Sequence, residues 1–210
     1  PGPPRPLAAA GGAPRHVLYA GNLHPYQDLE LLLKSFQIVA GREPKVHLVV
    51  VTHNNPSRWV KRVASLGLGG RVRFERGLTF EEEWEWMLRA SVLALPRARC
   101  SGYPMKLLNY LAAGRPVVAS EDSARGLTHG RTGYVVTETG PEAFAEGILR
   151  ALRSRRLAQR LAEGAARTSA EALNPRALLQ TLEGVYARMA PPSALRFFQP
   201  AAAPERAATF

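Results

Sequence analysis

The stretch Cys100–Ser120 reads CSGYPMKLLNYLAAGRPVVAS, and its order of residue types decides the fold. Just upstream, Val92–Leu95 is a short apolar run that predicts a strand. Ser101-Gly102-Tyr103-Pro104 is turn chemistry. Pro104 is expected at the first position of a helix, where its missing N–H costs nothing. The helix is predicted over Met105–Ala113, with Leu107, Leu108 and Leu111 inward and Gly114 as its C-terminal stop. Pro116 blocks continuation, and Val117-Val118-Ala119 starts a second strand. Strand, loop, helix and strand in about 30 residues is the size of one βαβ unit.

A helix that starts at the carboxyl end of a parallel sheet presents free N–H groups and a positive dipole end, which suits an anion, most often a phosphate. Lys106 adds a cation in the first turn, and Asn109 and Tyr110, three and four residues on, are expected to share its face. Gly102 would let a ligand approach the backbone closely. The same residues also describe an ordinary helix packed on a sheet, with Lys106 solvated and Asn109 at the surface.

Working outward, the alternation of strand and helix patterns continues. His16–Ala20 predicts a strand, Gly21–Asp28 a loop, and Leu29–Ala40 a helix with Leu29, Leu32, Leu33 and Phe36 on one face. Lys45–Thr52 reads as a buried strand, Ser57–Leu66 as a helix lined by Trp59 and Val63, and Arg71–Glu75 as a strand. Arg76-Gly77-Leu78-Thr79 is the next loop, and Phe80–Ala90 a helix capped by Thr79. Its acidic start, Glu81-Glu82-Glu83, complements the dipole and is expected to face solvent. Glu121 and Asp122 are likewise expected in solvent. Pro141–Arg153, Arg155–Thr168 and Pro175–Met189 read as three closing helices. Residues 1–14 read as a flexible linker and 190–210, rich in Pro and Ala, as a disordered tail. The domain is therefore expected over 15–189. Its order implies an α/β fold, a Rossmann-like doubly wound parallel sheet with ligands at the carboxyl ends of the strands.

Composition narrows the classes. With 46% apolar and 21% charged residues, the 210-residue chain can bury a core. No run approaches the roughly 20 apolar residues of a membrane-spanning helix. The single Cys100 excludes disulfides within the chain, and a cytoplasmic setting is the default expectation. A net charge of +11 attracts anions: nucleotide phosphates or an anionic membrane surface. Nucleic acid is not expected, because zinc spacing, RNA-binding aromatics and basic heptads are missing. No metal cofactor is expected.

PMKLLNYLAAGRPVVAS resembles the carboxyl-terminal half of retaining glycosyltransferases of family 4, which have the GT-B fold. Ala112–Val118 matches the end of that family's signature, whose two glutamates fall on Ser101 and Asn109. The wording KLLNY resembles one branch of the family. YAGNLHPYQDLELLL resembles a branch variant of the first loop, where Asn22 and Gln27 replace an Arg and a Lys that bind the donor's diphosphate, and Asp28 replaces a Gly. HGRTGYVV resembles a further loop and strand of the family, with Arg125 near the place of its preceding Glu.

The resemblance implies the donor-binding domain of an enzyme that transfers a hexose from a nucleotide diphosphate sugar with retained configuration. An amino-terminal acceptor-binding domain would be missing, and the isolated half would be inactive. It assigns the leaving diphosphate to Lys106, to the backbone of Gly102, Tyr103, Pro104 and Met105, and to Gly21, Asn22 and Gln27. Ser101 stands near the sugar hydroxyls, Asn109 near the ribose with Leu108 beside it, and Arg76, Gly77 and Leu78 border the base. The alternative is a catalytically silent scaffold subunit of the same fold, which the four replaced side chains at Asn22, Gln27, Ser101 and Asn109 favour.

Overall fold

The structure is a computed structural model, and it describes residues 15–77, 79–97, 102, 104–172 and 175–189. The candidates Leu78, Ser101 and Tyr103, the presumed linker 1–14 and the presumed tail 190–210 lie outside the described residues.

The elements alternate as the patterns require: β1 (His16–Ala20), α1 (Leu29–Arg42), β2 (His47–Thr52), α2 (Ser57–Ser65), β3 (Val72–Arg76), α3 (Phe80–Arg89), β4 (Val92–Leu95), α4 (Met105–Ala112), β5 (Val117–Ser120) and β6 (Tyr134–Val136). Helices α5 (Pro141–Arg153), α6 (Arg155–Ala172) and α7 (Pro175–Met189) follow. The strands form one parallel sheet in the order β3-β2-β1-β4-β5-β6. Strand order reverses between β1 and β4, so the crevice at their carboxyl ends is the topological switch point where such sheets take ligands.

Period-two alternation gives the four inner strands, β2, β1, β4 and β5, two buried faces. Val17, Tyr19, Leu48, Val50, Val92, Ala94 and Val118 pack with α1 residues Leu29, Leu32, Leu33 and Phe36 and with Phe144 and Ile148 of α5. Leu18, Ala20, Val49, Val51, Leu93, Leu95, Val117 and Ala119 pack on the other side with Met87 of α3, Leu107, Tyr110 and Leu111 of α4, and Ala165 of α6. Each fully buried Leu, Val or Phe contributes about 1.5–3 kcal/mol, so the sheet is held from both sides. Two glycines set the spacing of the outer helices. A Cβ on Gly147 would stand 2.9 Å from the Tyr134 ring, and one on Gly164 would stand 2.0 Å from the Arg131 carbonyl oxygen.

The chain divides into a compact unit, Pro1–Ala170, and a second, Glu171–Phe210, whose described residues are the last two of α6 and those of α7.

Several local expectations need correction. Pro104 is the N-cap of α4 rather than its first residue, with extended backbone at φ −75° and ψ 98°. Its carbonyl accepts from the Leu107 N–H at 2.7 Å. Arg76 belongs to β3 rather than to the loop, because it pairs in register with Thr52. Leu108 is half-buried rather than inward, and Tyr110 takes the core position instead. Gly114 does end α4 in the left-handed region at φ +60°, and Thr79 forms a full capping box with Glu82.

Candidate functional site

The loop after β1 is tied down at almost every residue. Gly21 has φ +138° and donates its N–H to the Val51 carbonyl at 2.9 Å. A Cβ there would lie 2.4 Å from Lys106 Nζ and 2.7 Å from its Cε, so this glycine leaves the space that a lysine from α4 fills. The Tyr19 hydroxyl donates to the Asn22 carbonyl at 2.5 Å, and Asn22 Nδ2 donates to the Tyr26 hydroxyl at 3.2 Å. The Leu23 N–H donates to Asn54 Oδ1 at 2.9 Å, fastening the loop to the end of β2. Asp28 sits at φ +49°, where a glycine would be unstrained, and its carboxylate accepts from the Leu31 N–H at 3.1 Å. It thus caps α1, which glycine could not do with a side chain.

Lys106 joins this loop to α4. Its Nζ lies 3.9 Å from the centroid of the Tyr19 ring and donates to Gln27 Oε1 at 3.3 Å. The residue as a whole is half-buried, but its ammonium is packed at the inner end among Gly21, Tyr19 and Gln27. That desolvation brings the ammonium down from its ordinary 10.5 to about 7. Glu83 opposes the drop by its negative charge, and Arg97 adds to it by like-charge repulsion. Burial also pushes the Tyr19 phenol up.

Tyr110 does not share the face of Lys106. It is fully buried, its hydroxyl oxygen accepts from the Ala20 N–H at 2.9 Å, and burial pushes its phenol up as well. The long lysine stem instead climbs past the core to the end of β1, as amphipathic chains do.

Three participants lay outside the sequence expectations: Tyr19, Glu83 and Arg97. Glu83 is half-buried rather than solvated, unlike Glu81 and Glu82. A Cβ on Gly77 would lie 2.9 Å from Glu83 Cγ, so the bare glycine at the end of β3 makes room for that side chain. Burial raises the Glu83 carboxyl, while Lys106 and His53 pull it back. Arg97 stacks with its guanidinium 4.8 Å from the Tyr26 ring centroid, and His24 stacks on the same tyrosine at 5.8 Å. Ser120 and Ser123 hold the chain there by donating to the carbonyls of Pro96 at 3.0 Å and Arg97 at 2.6 Å. Only long-range packing brings these groups together, so nothing local in the sequence marks them.

The remaining described candidates lie just before α4 or within it. Gly102 is exposed at φ +90° with open space beside it, Pro104 is buried and Met105 is 69% exposed. Leu108 and Asn109 are half-buried, and Asn109 makes no side-chain hydrogen bond among the described residues. A cleft of about 350 Å³ at the ends of β2 and β3 is lined by Thr52, His53, Asn54, Phe74, Glu75 and Arg76. A larger cleft, about 650 Å³, runs along α2 between Glu30 and Arg62 and contains none of the motif residues. Among the described residues no cluster of three His, Cys, Asp or Glu could hold a metal, and no helix is long and apolar enough to cross a membrane.

The sheet order and the crevice at its switch point define a Rossmann-like α/β domain of the kind found in GT-B glycosyltransferases. The chain belongs to the glycosyl transferases group 1 family, whose profile matches residues 14–154. It is 30% identical over 164 residues to a D-inositol 3-phosphate glycosyltransferase of Streptomyces avermitilis, covering 71% of this chain and 35% of that protein. The chain thus spans about a third of the length of that curated relative. Among solved structures it shares its fold with sucrose-phosphate synthase of Thermosynechococcus elongatus, with a TM-score of 0.73, 22% identity and coverage of 83% of this chain and 45% of that one. It also shares it with Anabaena Alr3699/HepE in complex with UDP and glucose, with a TM-score of 0.66, 18% identity and coverage of 81% and 48%.

Proposed function

We propose that this chain is the donor-binding domain of a retaining glycosyltransferase of family 4, in the KLLNY-type branch, and that it grips the diphosphate of a nucleotide sugar. The observation that carries the reading is the reach of Lys106 from α4 to the loop after β1, under Gly21 and onto Gln27. The two motif loops are read as one site, with a cation fixed at the ends of β1 and β4.

The role of the domain is electrostatic. Charge builds on the departing diphosphate, and donors already aimed at it lower the barrier without reorganising. Lys106 supplies the positive charge, helped by Arg97, while the free N–H groups at the start of α4 and the amides of Gly21 and Asn22 supply neutral donors. Ser101, outside the described residues, is assigned to the sugar hydroxyls from the sequence alone. Asn109, with one neutral acceptor and an NH₂ donor, takes the ribose in place of a carboxylate, beside Leu108. The base is assigned to Arg76 and Gly77, next to the cleft at the ends of β2 and β3, and to Leu78 from the sequence alone. The domain spans 15–189, an acceptor-binding domain comes from chain beyond these residues, and this half alone does not transfer sugar. Its excess of positive charge suits work at an anionic membrane surface in the cytoplasm.

Calorimetric titration of UDP, GDP and ADP into the chain and into Lys106→Ala tests the reading. Binding of one nucleotide, weakened about tenfold or more by the substitution, is expected, since a charge-assisted hydrogen bond is worth about 1.5–3 kcal/mol. Absence of binding by all three would favour the scaffold subunit.

A further inference from the structure

Two bare glycines at the carboxyl edge of the sheet each hold a charged side chain that arrives from a different helix. Gly21, after β1, accommodates Lys106 from α4, and Gly77, after β3, accommodates Glu83 from α3. Val51 stands between them. Its carbonyl takes the Gly21 N–H at 2.9 Å, and its Cγ1 lies 2.8 Å from the Cβ position of Gly77. The Glu83 carboxylate makes no hydrogen bond or ion pair among the described residues. A half-buried carboxylate left in that state is costly as structure alone, and only β2, at Val51, separates its seat at Gly77 from the seat of Lys106 at Gly21.

We propose that Glu83 is a positioning residue that acts through Lys106: its carboxylate, held across Val51, favours the protonated form of that side chain, so that an anionic ligand more often meets a cation. The role rests on the reading of Lys106 as the diphosphate cation. The other groups facing Lys106 do not do this work. Arg97, beyond β4, repels it; the Tyr19 ring and Gln27 Oε1 touch it but carry no charge; and Tyr110, on its own helix, is spent on the Ala20 N–H. His53, beyond β2, acts on Glu83 itself. Without Glu83, desolvation and Arg97 act on Lys106 unopposed, and the ammonium loses its proton at lower pH. With it, the midpoint stays at about 7, where a small change in surroundings decides the charge.

The chain contains four lysines, Lys34, Lys45, Lys61 and Lys106, so the Cε resonances of selectively labelled protein can be titrated one by one. In Glu83→Gln the Lys106 midpoint is expected to fall by about 0.3–1.2 pH units, as a charge two strand spacings, about 10 Å, away at an effective dielectric of about 20–80 would produce. Glu83→Asp, which keeps the charge, should stay close to the parent, and Glu82→Gln, on the exposed capping glutamate, should not move it. An unchanged Lys106 midpoint in well-folded Glu83→Gln overturns the proposal.

A second arm adds UDP-glucose, whose diphosphate carries no proton-binding oxygen in this range. Binding should raise the Lys106 midpoint in the parent and weaken above neutral pH in Glu83→Gln by about twofold or more. If Glu83→Gln shifts the empty-site midpoint but UDP-glucose never does, the coupling stands and the donor-site reading fails.

Discussion

Replacing Gly21 with alanine separates the fold from the site, because the new methyl group meets only the far end of a flexible side chain. A Cβ would overlap Lys106 Nζ at 2.4 Å and Cε at 2.7 Å, while the next atom, the Tyr19 hydroxyl oxygen, is 3.8 Å away. The lysine must leave, and the backbone must hold φ +138° with a side chain on it. Such strain costs about 1–3 kcal/mol, which lowers the melting temperature by about 2–12 °C in a folded unit of this size.

The ligand response distinguishes this from simple damage. UDP at about 100 times its dissociation constant stabilises a binding-competent domain by about 2.7 kcal/mol, a rise of about 5–11 °C. In Gly21→Ala that rise should fall by about half or more, as a tenfold weaker site would give, because Nζ has lost its seat over Tyr19 and on Gln27. Gly70→Ala is the control: φ is +75° with no atom within 4 Å, so it carries strain without displacing a lysine. It should melt lower and keep the full UDP response. Scanning fluorimetry with and without UDP reads both effects. A Gly21→Ala chain that retains the parent's UDP-induced rise would refute the argument that this glycine exists to seat Lys106.

Two further substitutions test the scaffold beneath the site. Tyr110→Phe leaves the Ala20 N–H buried without its 2.9 Å acceptor, which should cost about 1–3 kcal/mol in urea unfolding; a loss below about 0.5 kcal/mol would show that the amide finds another partner. Gly164→Ala drives a methyl group to 2.0 Å from the Arg131 carbonyl oxygen. Backbone cannot swing aside, so a loss of about 1–3 kcal/mol or more is expected; Gly184→Ala on α7, with nothing within 4 Å, should be neutral or stabilising by up to about 1 kcal/mol. Equal effects at the two positions would contradict the packing described for α6.

The sheet could be read from the chain because its signals are local. β1, β4, α5 and α7 have the bounds expected from apolar runs and caps, and Gly114 and Thr79 end and begin their helices as their chemistry requires. Boundaries drifted where tertiary pairing decided them. Arg76 joins β3 because Thr52 pairs with it, and Pro104 caps α4 from outside the helix.

The site was legible only in part. Lys106, Gly21 and Gln27 sit in recognisable wording and do meet. Helical spacing sets Tyr110 beside Lys106, but spacing alone does not say which of two neighbouring faces the sheet will cover, and Tyr110 lies in the core. Glu83 looked like any acidic first turn. Its burial depends on the missing Cβ of Gly77, six residues away and on another element. Arg97 and Tyr19 gain meaning only once the loop after β1 folds beside the end of β4.

The central claim is that the seat formed by Gly21, Gln27 and Lys106 receives a diphosphate, and a crystal of the chain soaked with UDP tests it most directly. The account predicts phosphate oxygens within hydrogen-bond reach of Lys106 Nζ and of the amides at the start of α4. Well-defined UDP bound elsewhere, with Lys106 still closed on Gln27 and no phosphate near it, would contradict it.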